Sequence, residues 1–144
     1  MRVYRRYQSG ITARDWNSAK HSAIRGWFEA RSRRPGRPRV HDPRLIINAI
    51  RYLAASGVPF RSLPCHFPKW QTVAAWKRSM ISAGVYETVL RGLVDDLEEL
   101  ESQAYARADH QDDRLGEGRA VALLQAPLEN ARAAHRAEMM RGEL

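Results

Sequence analysis

The feature that limits this chain most is what its last third lacks. From Asp95 to Leu144 there is no isoleucine and no threonine, and Val121 is the only valine. Strands draw on β-branched and aromatic side chains, which pack well on a pleated surface. A β-sheet in this stretch is therefore excluded, and from Gly118 onward helix formers dominate. Apolar spacing in the rest of the chain also has a helical period, so the sequence predicts an all-α protein.

Three long helices are expected before residue 84. Thr12 and Asp15 form a capping-box-like pair, and Trp16, Ala19, Ala23, Ile24, Trp27 and Phe28 follow at helical spacing. That pattern predicts a first helix near 12–30 with the stripe facing inward. Asp42-Pro43 is a start signal, because aspartate accepts from the first amides and proline suits the first turn. Ile46, Ala49, Ile50 and Leu53 make one face of a second helix near 43–56, and Gly57 is its stop. Pro59 opens a short helix that Pro64 limits, and Phe67-Pro68 makes a turn. A third long helix is then expected over 69–82, ending at Gly84.

In that helix Val73, Trp76 and Met80 share one stripe and are predicted to be core. Gln71, Thr72, Ala75, Arg78 and Ser79 fall on the opposite side. A short helix, a turn and a longer helix with a small and polar outer face is the helix-turn-helix pattern. Gln71 suits adenine, and Arg78 suits guanine or a phosphate. Arg61, Lys69 and Lys77 are placed beside them as further DNA contacts. An ordinary helical hairpin with a solvated outer face fits the same spacing.

A fourth helix is expected from Val85. Tyr86, Leu90, Leu93, Leu97 and Leu100 recur at alternating steps of four and three, which resembles a short coiled-coil seam. The seam fits either a helix packed on its own domain or, with residues 86–104 and the acidic tail, a homodimer or protein-partner surface. Beyond Tyr105 the sequence turns polar, with Gly116 and Gly118 as breakers. Pro127 is expected to interrupt or kink any helix, leaving one piece near 119–125 and another near 127–141. Asp109, His110, Asp112 and Asp113 sit in this polar segment without a scaffold, so they read as a solvated charge run and not as a metal site. No cofactor motif is present.

Charge is distributed unevenly. Residues 1–91 carry 18 basic and 4 acidic side chains, net +14, whereas residues 92–144 carry 6 and 12, net −6, which gives the overall +8. Such a basic half suits a polyanion. Of the 24 basic residues 21 are arginine, and arginine forks onto phosphates and guanine edges. Five arginines fall between Arg31 and Arg39, in RSRRPGRPR. Two prolines and a glycine prevent a helix there. RRPGRPR resembles the AT-hook core, in which extended Gly-Arg-Pro lies in the minor groove, although Pro35 stands where an arginine is usual. Arg33, Arg34, Arg37 and Arg39 are thus expected either in a narrow A·T minor groove or on phosphates, ordering on DNA. The single cysteine, Cys65, allows no internal disulfide, and no apolar run approaches membrane-spanning length. A cytoplasmic, nucleoid-associated protein without a membrane segment is expected.

By Met80 the chain resembles the N-terminal DNA-binding domain of bacterial insertion-sequence transposases of the DDE type. The matching motifs run in order: Ile11-Thr12 with Trp16; Gly36-Arg37-Pro38; Asn48-Ala49-Ile50; Gly57-Val58-Pro59-Phe60-Arg61-Ser62-Leu63-Pro64; and Phe67, Trp70, Thr72 and Val73. The likeness covers about residues 11–93. It implies binding to transposon-end DNA, or to a sequence descended from one. Family members continue into a ribonuclease-H-like domain whose three carboxylates hold two metal ions. Residues 95–144 cannot build that sheet, so no catalytic residues are expected here.

The organisation expected from the sequence is therefore a flexible N-terminus (1–10), a helix-turn-helix DNA-binding domain (11–93, with the basic linker 31–41) and an acidic helical extension (94–144). The function expected is sequence-specific duplex DNA binding, by a truncated or repurposed transposase domain acting at transposon ends or as a transcriptional regulator. The alternative is a protein–protein adaptor that uses the 86–100 seam and the acidic tail.

Overall fold

The computed structural model describes residues 10–32, 41–110 and 117–142, with side chains described for all of these except 107–110, 117–122 and 142. Residues 1–9, expected to be loosely ordered, and Arg33, Arg34, Arg37 and Arg39 of the linker lie outside the described residues, as do Asp112 and Asp113. Six α-helices and no strand are present among the described residues: α1 (Ala13–Trp16), α2 (Ser22–Ser32), α3 (Pro43–Ser56), α4 (Trp70–Ala83), α5 (Tyr86–His110) and α6 (Glu117–Gly142). Short 3-10 turns fill Ala19–His21 and Phe60–Ser62. The chain is all-α, as its composition and spacing require. No described helix is long and apolar enough to cross a membrane.

The first helix differs from expectation. It is broken at Asn17-Ser18, where Ser18 is extended (φ −74°, ψ 163°). In a straight helix Trp16 and Phe28 would be about 18 Å apart along the axis. Their ring centroids are instead 6.4 Å apart, which one straight helix does not permit. Polar side chains satisfy the backbone at the break. The Ser18 hydroxyl donates to the Asp15 carbonyl (2.6 Å), and the Arg25 guanidinium donates to the carbonyls of Trp16 and Ser18. The Thr12 hydroxyl caps α1 by accepting from Asp15 N (3.1 Å).

Helix α3 forms the centre of the fold. Asp42 caps it by accepting from Arg44 N (3.0 Å), and Gly57 (φ 70°) ends it, its N–H donating to the Leu53 carbonyl (3.1 Å). Ile46, Ile47, Ala49 and Ile50 are buried, together with Ile24, Phe28, Val73, Met80, Val89 and Leu90 of the surrounding helices. Asn48 on the same helix is buried too. Its Oδ1 accepts from Ile11 N (2.8 Å) and its Nδ2 donates to Ile11 O (3.2 Å), so one side-chain amide satisfies both polar groups of that residue. The preceding Gly10 has φ 63°, and a Cβ there would lie 2.3 Å from Asn48 Oδ1. The Ile11-Thr12 and Asn48-Ala49-Ile50 motifs are thus halves of a single contact.

The C-terminal region packs on this body. Helix α5 runs without a break through position 93, and α6 folds back along α5 and α3. Leu93, Leu97 and Ala104 of α5 are buried with Leu124, Leu128 and Ala131 of α6 and Ala55 of α3. The apolar seam that the sequence exhibits is therefore covered within the chain. Asn130 of α6 donates to the Ala55 carbonyl (2.9 Å) and so supplies a partner at the C-terminal end of α3. Pro127 does not interrupt α6, contrary to the expectation of two pieces, and Gly118 does not delay its start. Proline in a helix interior costs about 3 kcal/mol in the absence of other contacts. Here Pro127 is itself buried between Leu124 and Leu128, and that packing offsets the lost hydrogen bond.

Candidate nucleic-acid interface

Helix α4 presents two unlike faces. Val73 and Met80 are fully buried, whereas Gln71, Ala75, Arg78 and Ser82 form an exposed stripe one turn apart from each other. Thr72 and Ser79 lie half-buried on one flank. Gly84 (φ 75°) ends the helix in a Schellman motif: Val85 N donates to Met80 O (3.0 Å) and Gly84 N to Ile81 O (3.2 Å). The exposed stripe thus stops sharply, and the chain turns into α5.

Trp76, expected to be core, is half-buried. Its ring lies 5.8 Å from that of Trp27 and 5.0 Å from that of Phe28, both on α2. Above this aromatic pair sits Arg31, whose guanidinium carbon is 5.1 Å from the Trp27 centroid and 5.3 Å from the Trp76 centroid. The sequence placed Arg31 only at the start of the basic linker 31–41 and did not single it out for DNA contact, whereas it belongs to α2. The available signal was its position four residues after Trp27, on the same face of α2. Arg31 borders a shallow surface depression with Ala75, Arg78, Ser79, Ser82 and Ala83.

The other marked residues divide between the two sides. Arg61 and Lys69 are exposed on the approach to α4, and the Arg61 guanidinium lies 5.8 Å from the Trp70 ring. Lys77 is different. It points away from the exposed stripe, with Nζ 5.3 Å from the Phe60 ring and 5.2 Å from the Tyr86 ring. Burial, followed by the nearby Arg141, lowers its ammonium below the ordinary lysine value, with Glu138 working in the opposite sense. Burial likewise pushes the Tyr86 phenol up to about 12. Lys77 therefore packs the inner side of α4 and is separated from Gln71, Ala75 and Arg78. The sequence pattern placed it near the stripe because it adjoins Arg78 in the chain, although a step of one residue on a helix is a turn of about 100°.

A second cluster of charge lies away from α4, between α3, α5 and the first 3-10 turn. Arg51 is 7% exposed, and its Nη2 donates to Asp96 Oδ2 (2.8 Å); Lys20 Nζ bonds the other carboxylate oxygen. Burial acts to raise the Asp96 pKa, but Arg51 and Lys20 outweigh it, and the carboxyl titrates below its ordinary value. His21 is buried beside them, its ring stacked on Trp16. Burial first, then Arg51 and Lys20, hold its pKa below the ordinary histidine value. Every cation in this cluster faces Asp96. By contrast, Arg31, Arg61 and Arg78 make no ion pair among the described residues.

The family described as "Putative transposase of IS4/5 family (DUF4096)" matches residues 11–90, which is just over half of the 144-residue chain and spans α1 through α4 and the start of α5. No curated protein and no solved structure matches it. The matched segment contains the Ile11–Asn48 contact, the Gly57 stop and the exposed stripe of α4, and on this evidence the chain belongs to the IS4/5 transposase family.

Proposed function

We propose that this chain binds duplex DNA, with α4 as the recognition helix of a helix-turn-helix unit in which the short Phe60–Ser62 3-10 turn stands for the first helix. The observation that carries this reading is the outer stripe of α4. Gln71, Ala75 and Arg78 are exposed, their helix is fixed on the opposite side by Val73 and Met80, and Arg78 has no carboxylate partner among the described residues. Surface arginines in folded proteins commonly find a carboxylate at little energetic gain. A helix whose exposed cation is left unpaired, bordered by Arg31, Arg61 and Lys69, suits a polyanion. Small Ala75 lets the helix approach base edges closely, Gln71 matches adenine, and Arg78 matches guanine. Membership of a transposase family makes the end of a mobile element the natural target, read either by a transposase fragment or by a regulator that occupies such ends.

The adaptor reading loses its main surface, because Leu93 and Leu97 already pack against Leu124 and Leu128 within the chain. The experiment that decides is enrichment of sheared genomic DNA on the purified full chain. Recovery of one inverted-repeat sequence supports the transposon-end reading. Recovery no different from random DNA removes it.

A further inference from the structure

We propose that the depression between the end of α2 and α4 is a phosphodiester-binding site, in which Arg31 grips one backbone phosphate of a duplex lying on α4. The proposal rests on the reading of α4 as a DNA-binding helix. It adds a residue outside that helix and a separate role for it.

The chemistry of the depression is that of an anion site. Two guanidinium groups, Arg31 and Arg78, and two hydroxyls, Ser79 and Ser82, line it, and no carboxylate does. Ala75 and Ala83 keep its floor low, so the sugar–phosphate backbone can come close. Arg31 is held by two rings at 5.1 and 5.3 Å, an attraction to the ring π-systems that takes no hydrogen bond from the guanidinium. All five N–H donors lie in the guanidinium plane and stay available for a fork onto phosphate oxygens. Arg31 makes no hydrogen bond or ion pair among the described residues. The side chain is therefore pre-oriented with its donors unspent, which lowers the ordering entropy that a long exposed arginine loses on binding. A lysine in this position would retain the charge but neither the plane nor the fork.

The pairing of Trp27 with Trp76 gives the site a specific geometry. One ring belongs to α2 and the other to α4, so the phosphate contact is registered to the recognition helix and not to the linker that follows. A contact of this type fixes how deeply and at what angle α4 sits in the groove, without itself reading sequence.

The test uses the full chain and short duplexes, with affinity measured across a salt series for wild type, Arg31→Gln and Arg31→Lys at a temperature where all three remain folded by circular dichroism. Loss of one phosphate contact is expected to reduce the magnitude of the log–log salt slope by about 1 in Arg31→Gln and to weaken binding equally on every duplex sequence. Arg31→Lys is expected to keep most of the slope but bind more weakly than wild type, because charge survives and the fork does not. An Arg31→Gln protein with wild-type affinity and slope overturns the site while the DNA reading stands. A loss confined to duplexes that differ at one base pair also overturns it, since Arg31 would then read a base. Failure of the wild type to bind any duplex overturns the DNA reading and this site together.

Discussion

The arginines on the two sides of this molecule have the same charge and opposite uses. Between α3 and α5, Arg51 is buried against Asp96, and Lys20 completes the carboxylate's coordination. Around α4, Arg31 and Arg61 lie over tryptophan rings and Arg78 projects freely, with no carboxylate on any of the three among the described residues. The net +14 of residues 1–91 counts both groups alike. The difference lies in what faces each side chain. A cation desolvated against a carboxylate holds the fold and has nothing left to offer a ligand. A cation stacked on a ring or facing water retains its donors. Charge patterning therefore identifies a polyanion-binding protein only after the structurally committed arginines are set aside. Arg25 and Arg44, for example, spend their donors on the backbone carbonyls of Trp16, Ser18 and Ile11.

The largest expected effect is on the committed side. Asp96→Ala leaves Arg51 buried and uncompensated, and it should cost about 3 kcal/mol of stability, at the low end for a broken buried pair because the Asp96 side chain is a quarter exposed. Urea denaturation measures it. At a temperature where the variant stays folded, its salt slope for duplex binding should equal the wild-type value. A changed slope would mean that this cluster also contacts DNA, and the division between the two groups would fail.

Arg78→Ala should do the reverse. Its melting temperature should match wild type, because the residue is exposed and unpaired. Duplex affinity should fall by ~1 to 3 kcal/mol with relaxed preference at one base pair if Arg78 forks onto a guanine. A uniform loss across sequences with a flatter salt slope would place it on a phosphate. Wild-type affinity on all competitor duplexes would remove α4 from the account.

Acidification should act on the committed side alone. The His21 pKa is lowered on folding, so below the ordinary histidine range the unfolded chain takes up a proton that the folded chain resists. Stability should fall as pH drops below about 6.5, the unfolded histidine value, until the folded-state pKa is passed. Asp96, also lowered, adds a second loss as pH falls below the ordinary aspartate value and through its folded pKa. In His21→Asn the first loss should disappear from a series of melting temperatures taken between neutral and mildly acidic pH, while the second remains. Persistence of the first loss in that variant would assign it to another group.

The smallest effect is expected for Arg132→Ala, which removes an exposed pair with Glu98 (3.0 Å) linking α6 to α5. Stability should change by no more than about 1 kcal/mol, and duplex affinity should not change. A clear loss of affinity on titration with labelled duplex would show that α6 contributes to the interface and that the acidic region is not confined to a packing role.

Much of the fold was legible because its signals are local. Asp42-Pro43 and Gly57 mark α3 at both ends, and Gly84 marks the end of α4, because caps and left-handed stops depend on a few adjacent residues. The stripe of Val73 and Met80 against Gln71, Ala75 and Arg78 follows from helical period alone. Where the expectation failed, a distant contact had prevailed over a local preference. Trp16 reaches Phe28 only because the first helix breaks, and Pro127 stays in α6 only because Leu124 and Leu128 anchor that helix on both sides of it. The half-burial of Lys77 and the stacking of Arg31 likewise depend on rings supplied by other segments.

The sequence by itself determined that this chain is helical, where its central helices begin and end, which face of α4 is apolar, and that a transposase-family segment covers most of its first two thirds. Each of these follows from spacing, capping chemistry or motif order within a few turns of chain. Tertiary structure alone decided which of the many arginines are spent inside the fold and which stay available, that the leucine seam of α5 is closed by α6, and that Trp27 and Trp76 come together beneath Arg31. Those outcomes join residues such as 51 and 96, or 31 and 76, whose separation along the chain carries no periodic signal. They are fixed only when desolvation drives buried polar groups toward partners and apolar faces toward a cover.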